Sequence, residues 1–209
     1  MTPRLPRLHA ITDERIAGRE DLAAVAGALA RGAGAALAFH ARGRRLSGLA
    51  HDALARRLAA YAAVPLIVND RLDVALAVGA VGVQLGHTSL TPAEARRLNP
   101  AWWIGRSVAT LAEGEAARAA GADYLLVGPV YPTATHPGRV PLGLAALGAI
   151  VRLGLPVIAI GGVTPERVAE LRATGVLGVA AIRALWDAPD PAAAAQRFVE
   201  ELGRDERQG

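Results

Sequence analysis

The stretch PVIAIGGVTPERVAELRATGVLGVAAIRAL, from Pro156 to Leu185, predicts a strand, a helix and a second strand in close succession. Its two apolar runs, VIAI and GVAA, are continuous rather than alternating, which is typical of parallel strands buried on both faces. Thr164, Pro165 and an acidic residue in the first turn signal the start of the helix, and Gly175 signals its end. The stretch is therefore predicted to be one βαβ unit of a parallel sheet.

The same unit recurs along the chain. The phrases RGAGAA, AVGAVGV and RAAGADY match RATGVLG in form, because each is a helix end closed by glycine that leads into a strand. Strands are predicted at Leu8–Ile11, Ala35–Phe39, Leu66–Val68, Gly82–Leu85, Trp103–Ser107, Tyr124–Val127, Val157–Ile160 and Gly178–Ala181. Helices are predicted at Asp21–Arg31, His51–Ala62, Leu72–Val78, Pro92–Leu98, Leu111–Ala120, Leu142–Leu153, Pro165–Ala173 and Pro191–Leu202.

This alternation favours a single-domain α/β fold, a (β/α)8 TIM barrel that occupies residues 1–209. The alternative is an open doubly wound sheet. Its nucleotide-binding fingerprint, G-x-G-x-x-G, is missing from LHAITDERIAGRE, where the first strand ends.

The composition excludes several kinds of chemistry. The chain has no cysteine and no lysine, so all 23 basic residues are arginine. Disulfides, thiolate metal sites, Schiff bases and a Walker-type lysine are therefore ruled out. The net charge is +4 but the arginines are scattered, so we expect no nucleic-acid partner. With no apolar run near the ~20 residues that span a bilayer, and no signal-peptide core, we expect a cytoplasmic protein without a membrane partner.

In such a barrel the active site lies at the carboxyl ends of the strands. Gly161 and Gly162 follow the seventh strand and Arg183 follows the eighth, where barrels commonly bind a phosphate group. Asn69 and Asp70 follow the third strand. They suit either a Mg²⁺ or ligand site, or a helix cap formed by Asp70.

The five histidines differ in their expected positions. His40, His87 and His136 fall at strand ends or in the loops after them, where an imidazole can act as an acid or base near neutral pH. His9 is expected inside the first strand and His51 on the surface of a helix.

Five blocks of the sequence together resemble one family. LHAITD, IVNDRLDVALAVGAVGVQLG, IGRSVAT, GADYLLVGPVYPTATHPG and VIAIGGV are similar, in this order, to the thiamine-phosphate synthase/TenI family. The resemblance implies a (β/α)8 barrel and one of two activities. Synthases join an aminopyrimidine diphosphate to a thiazole phosphate with Mg²⁺, whereas TenI proteins tautomerise a thiazole carboxylate phosphate.

The resemblance assigns site residues with several departures from the synthase pattern. In the diphosphate motif Q-x-R-E-K, His40 is aligned with the Arg, Ala41 with the Glu and Arg42 with the Lys. His136 replaces the lysine of the T-x-T-K motif. Ser89 replaces the second Mg²⁺ carboxylate, which leaves Asp70 as the metal ligand of the Asn69–Asp70 pair.

The ligand-binding residues implied by the resemblance are more fully kept. Ser107 matches a phosphate-binding or diphosphate-binding serine, and the thiazole-phosphate cradle is matched by Gly161, Gly162, Ile182 and Arg183. The loop from Gly128 to Gly138 is expected to close over the ligand, with its polar side chains facing the anion: Thr133, Thr135 and His136.

These departures favour a thiazole tautomerase of the TenI type that needs no cofactor and transfers a proton through His136 or His40. The position of the catalytic histidine in TenI enzymes, after the sixth strand, is Pro129 here. The alternatives are a Mg²⁺-dependent thiamine-phosphate synthase and a non-catalytic regulatory binder. In each case the partner is a small thiazole phosphate, and the family implies a homodimer.

Overall fold

The fold is a closed parallel barrel. A computed structural model describes residues 4–133, 138 and 140–203. Eight strands pair in chain order, and β8 pairs with β1 to close the ring. They are β1 Leu8–Ile11, β2 Leu37–Ala41, β3 Leu66–Asn69, β4 Gly82–Leu85, β5 Trp103–Val108, β6 Tyr124–Val127, β7 Val157–Ile160 and β8 Gly178–Ala181. The predicted (β/α)8 barrel is confirmed.

Helices connect the strands on the outside of the barrel. They are α1 Glu14–Ala17, α2 Leu22–Ala33, α3 Gly48–Ala59, α4 Leu72–Val78, α5 Pro92–Leu98, α6 Leu111–Ala119, α7 Gly143–Val151, α8 Val168–Ala173, α9 Arg183–Trp186 and α10 Pro191–Leu202. The helix α10 packs against α2, which closes the helical layer. Within the described ranges, no helix is long and apolar enough to cross a membrane.

The sequence placed most strands correctly but misplaced β2. This strand covers Leu37–Ala41 instead of the predicted Ala35–Phe39, because the residues before it form a short 3₁₀ turn at Gly34–Ala36. His40 therefore lies within the strand and not after it.

Two layers of buried side chains support the barrel. Outward-facing strand residues pack against the helices, where Phe39, Trp186 and Phe198 are fully buried. A second cluster fills the inside of the barrel, as expected for this fold: Ile11, Ala38, Ile67, Trp103, Tyr124, Leu126, Ile158 and Ala180. Polar side chains share this interior, and among them His9, His40 and Gln84 are completely buried.

Candidate functional site

A cavity of about 540 Å³ opens at the carboxyl ends of the strands. Residues from loops or ends of all eight strands line it, including Arg42, Asp70, Ser107, Gly161 and Arg183. The structure thus brings together predicted residues that are far apart in the sequence, at the end of the barrel where such enzymes carry their active sites.

The Gly161–Gly162 pair has a backbone that requires glycine. Both residues have positive φ, 98° and 65°. A Cβ at Gly161 would lie 2.6 Å from Pro129 Cα, and one at Gly162 would lie 2.6 Å from the Pro132 carbonyl oxygen. Both carbonyls of the pair accept hydrogen bonds from protein groups, whereas neither N–H donates to any residue described. The two amide groups are therefore available to an anion in the cavity.

Two arginines accompany this glycine pair. Arg183 begins α9 and lines the cavity beside Ile182. Arg167, which was not predicted, also lines the cavity. Its guanidinium donates to the Gly162 carbonyl and stacks 4.3 Å from the centroid of the Tyr131 ring. Arg167 thereby holds the glycine loop in place and adds positive charge to it.

Arg42 and Arg44 supply positive charge after β2. Both line the cavity. The backbone of Arg42 is held by Thr12, whose hydroxyl contacts the Arg42 N–H and carbonyl groups at 2.8 Å each. Burial, followed by repulsion from Arg44, lowers the pKa of Arg42. Arg42 is half-buried and Arg44 is exposed, and an anion bound between these two like charges would relieve their repulsion.

Asp70 is held at the cavity edge by β4 and its loop. It has a positive φ of 62°. Its carboxylate oxygen Oδ1 accepts hydrogen bonds from the Gly86 N–H at 2.8 Å and from the Ser89 hydroxyl. The helix α4 has Arg71 at its N-cap and no side-chain cap bond, so Asp70 does not cap it. The structure thus contradicts the interpretation of Asp70 as a helix cap.

The donor set at Asp70 suits a magnesium ion only with help from the substrate. No cluster of three or more carboxylate, histidine or cysteine side chains occurs in the described part of the chain. Mg²⁺ is commonly bound by one or two carboxylates, with substrate phosphates and water as its other ligands. Asp70 with the Ser89 hydroxyl fits that arrangement as the single-carboxylate form.

His40 does not reach the cavity. It is fully buried inside the barrel, where its Nε2 lies 2.8 Å from His9 Nδ1. Its Nδ1 lies 3.2 Å from the side-chain oxygen Oδ1 of Asn69. His9 Nε2 in turn contacts the Pro6 carbonyl oxygen at 2.9 Å. The corrected position of β2 explains this, because an inward-facing strand residue below the mouth of the barrel is covered by the residues above it.

Burial keeps both histidines neutral. Burial lowers the pKa of His9 to about 4. The pKa of His40 is also held well below its ordinary value, first by burial and then by the neighbouring His9. Asn69, at the end of the histidine chain, does line the cavity.

Ser107 also lines the cavity and is held by a residue the sequence analysis overlooked. Gln84 donates from Nε2 to the Ser107 hydroxyl oxygen at 3.0 Å. Thr133 lies at the cavity too, but Thr135 and His136 fall outside the described residues. His51, expected on the surface, is buried and contacts the Ala41 carbonyl oxygen through Nε2 at 2.9 Å.

The fold and the cavity define a (β/α)8-barrel protein with an arginine-lined cavity at its carboxyl mouth. Comparison with known proteins identifies one family for this chain. The sequence model of the thiamine monophosphate synthase family matches residues 8–185. The chain belongs to this family.

Individual relatives agree with that assignment. A thiamine-phosphate synthase of Methanoculleus marisnigri is 40% identical over 211 residues, covering 97% of this chain and 98% of that protein. A thiamine biosynthesis bifunctional protein of Symbiobacterium thermophilum is 48% identical over 142 residues, which are 66% of this chain and 30% of that protein. The structure of a thiamine phosphate pyrophosphorylase from Pyrococcus furiosus superposes with a TM-score of 0.79 at 33% identity, covering 100% of this chain and 99% of that one.

Proposed function

We propose that this protein is a thiamine-phosphate synthase, which joins an aminopyrimidine diphosphate to a thiazole phosphate. The observation that carries the proposal is the pair of cationic regions in one cavity. Arg42 and Arg44 lie after β2, and the Gly161–Gly162 amides lie after β7, with Arg183 following β8. A reaction between two phosphorylated substrates needs two such anion sites, whereas tautomerisation of one thiazole phosphate needs one.

The positions of these arginines support a different alignment of the diphosphate motif. The sequence analysis aligned His40 with the Arg of Q-x-R-E-K, but His40 is buried away from the cavity. If the motif is moved by two residues, Arg42 takes the place of the Arg and Arg44 that of the Lys. Both then face the ligand. In this alignment the chain keeps both cations of the diphosphate grip, with arginine in place of lysine.

The chemistry follows from how charge develops. As the bond between the pyrimidine methylene carbon and the diphosphate breaks, negative charge grows on the leaving oxygens, and fixed cations stabilise it. Arg42 and Arg44 are placed to donate charged hydrogen bonds to those oxygens. Mg²⁺ held at Asp70 would add further neutralisation of the diphosphate. The glycine amides and Arg183 would orient the thiazole phosphate, bringing its ring nitrogen towards the carbon under attack.

The tautomerase predicted from the sequence has less support. Relatives that align with nearly the whole of this chain are named as synthases. His40, one of the two proton carriers proposed for the tautomerase, has no access to the cavity. The other, His136, lies outside the described residues. The tautomerase and the regulatory binder remain outcomes of the experiment that follows.

The test is turnover by the purified full-length chain. With hydroxymethylpyrimidine diphosphate, thiazole phosphate and Mg²⁺, we expect thiamine phosphate and diphosphate in equal amounts by chromatography. Because a charged hydrogen bond contributes ~1.5–3 kcal/mol, Arg42→Ala and Arg44→Ala should each lower kcat/KM by about 10- to 100-fold.

A matched control lies in the same run of arginines. Arg45 is exposed and does not line the cavity, so Arg45→Ala should stay within about twofold of the wild type. Absorbance changes with thiazole carboxylate phosphate and no synthase turnover would replace the proposal by the tautomerase. Binding of both ligands without any turnover would replace it by the regulatory binder.

A further inference from the structure

A chain of buried polar groups crosses the inside of the barrel and ends at the cavity wall. It starts at the Pro6 carbonyl oxygen, continues through His9 and His40, and ends at Oδ1 of the Asn69 amide, with contacts of 2.9, 2.8 and 3.2 Å. Every ring nitrogen of the two histidines takes part. Turning either ring over would replace these nitrogens by carbons, so both ring orientations are fixed by the contacts.

The positions of the protons along the chain follow from its first member. A carbonyl oxygen only accepts, so His9 must donate to Pro6 from Nε2. In a neutral ring His9 Nδ1 then has no proton and must accept from His40 Nε2. A neutral His40 consequently has a bare Nδ1, which needs a donor. Of the two atoms of the Asn69 amide, only the nitrogen can supply one, so the proton count requires the amide to be turned over from the orientation in which Oδ1 faces His40.

The surroundings favour this neutral arrangement over a charged one. The alternative places a third proton on the pair and lets His40 donate to the Asn69 oxygen. Both rings are fully buried, and their other neighbours are Tyr124 of β6, with its ring centroid 6.0 Å from His9, and the cation Arg42, which directly follows β2. No carboxylate of a described residue is hydrogen-bonded to either ring. A positive charge there would be buried without compensation.

We propose that His9 and His40 are positioning residues that turn the Asn69 amide nitrogen inward, so that the Asn69 carbonyl oxygen faces the cavity and accepts a hydrogen bond from a substrate N–H group. The amide oxygen and nitrogen have nearly the same shape, so proton accounting rather than shape decides their assignment. Asn69 lines the cavity and is only 5% exposed, which makes the atom facing the ligand important for selectivity.

The ligand class follows from this polarity. An inward-facing amide nitrogen leaves an acceptor on the wall, which suits the amino group of a heterocycle and disfavours a phosphate oxygen at the same place. This step rests on the proposed synthase function, under which the amino group belongs to the pyrimidine substrate. The anion is then left to Arg42 and Arg44, which also line the cavity.

The proton positions can be measured directly by nitrogen NMR on the uniformly ¹⁵N-labelled full chain at pH 7.5. We expect both rings to be neutral, with a proton on Nε2 and none on Nδ1. His9→Gln and His40→Gln identify the signals. An imidazolium signal from either ring, or a proton on His40 Nδ1, would overturn the proposal whether or not the protein has synthase activity.

Ligand selectivity tests the role of the pair. The probes are 4-amino-5-hydroxymethyl-2-methylpyrimidine and the analogue with hydrogen in place of the amino group, compared by calorimetry. The wild type should prefer the amino compound by at least about tenfold, because the analogue leaves a buried acceptor unpaired. His40→Gln lets the Asn69 amide turn either way, since glutamine offers both a donor and an acceptor, and should reduce the preference to about threefold or less.

His51→Gln is the matched control. His51 is another buried histidine, but its recorded contact is the Ala41 carbonyl oxygen and not the Asn69 amide, so the preference should be kept. An unchanged preference in His40→Gln, or an equal loss in both variants, would exclude the positioning role. If the expected protons and preference are found but thiamine phosphate is not formed, the proposed function fails and the inference on Asn69 stands.

Discussion

At the scale of single residues, His9 and His40 link the stability of the barrel to pH. The pKa of His9 is lowered to about 4 by burial, against ~6.5 for an exposed histidine. Between these two values the unfolded chain binds more protons than the folded one. The free energy of unfolding must therefore fall as the pH is lowered from about 6.5 towards 4. His40 acts in the same direction, because its pKa is also lowered.

The expected change can be isolated with one variant. Between pH 7.5 and pH 5.0, His9 alone should remove ~2 kcal/mol of stability, as calculated from its two pKa values. Urea unfolding of the wild type and of His9→Gln at both pH values measures this loss, since the carboxylates titrate similarly in both proteins. Equal losses in the two proteins would show that His9 is not held neutral by the fold.

The sequence located cavity-lining residues wherever it placed the preceding strand correctly. Asp70, Ser107, Gly161 and Gly162 were found from the sequence because each directly follows or ends a strand that was placed correctly. His40 was misassigned because a shift of two residues in β2 decides whether a side chain follows the strand or lies buried inside the barrel. No sequence pattern revealed that shift, since the apolar run around it is continuous.

At the scale of secondary structure elements, two similar helix starts behave differently. The sequences TPAE and TPER both begin with a threonine at the N-cap position. In the first, Glu94 is the third helical residue, and Thr91 and Glu94 form a reciprocal capping box. In the second, Glu166 comes one residue earlier, and Thr164 makes no side-chain cap bond to the 3₁₀ turn that follows. The reciprocal pair requires a spacing of three residues, which only the first sequence has.

This difference predicts unequal effects of the same substitution. Thr91→Ala removes the hydrogen bond that the Glu94 N–H donates to the Thr91 hydroxyl oxygen, and should lower the free energy of unfolding by ~1 kcal/mol. Thr164→Ala should change it by less than about 0.5 kcal/mol. Urea unfolding of both variants decides the point, and losses of the same size would mean that the capping box contributes nothing specific.

At the scale of the whole molecule, the fold was predictable and the full set of cations in the site was not. Repeated strand and helix signals determine a closed barrel because each unit must bury both faces of its strand. The cavity, by contrast, collects side chains from many loops. The sequence analysis singled out neither Arg44 nor Arg167 as a site residue, although both line the cavity. Which arginine in a run faces inward depends on loop geometry that local patterns do not specify.

The packing inside the barrel also depends on a glycine, which leaves room for its neighbours because it has no side chain. Gly105 in β5 faces Gln84 and Tyr124, and a Cβ there would lie 2.2 Å from Gln84 Oε1 and 2.2 Å from Tyr124 Cζ. Because closely paired strands surround both side chains, Gly105→Ala should destabilise the protein by ~1–3 kcal/mol.

Gly148→Ala is the control. Its Cβ would have no neighbour nearer than 3.9 Å in α7, so it should be neutral or stabilise by up to ~1 kcal/mol. Thermal and urea unfolding should thus separate the two variants, and a Gly105→Ala protein as stable as the wild type would mean that the interior can rearrange around an added methyl group.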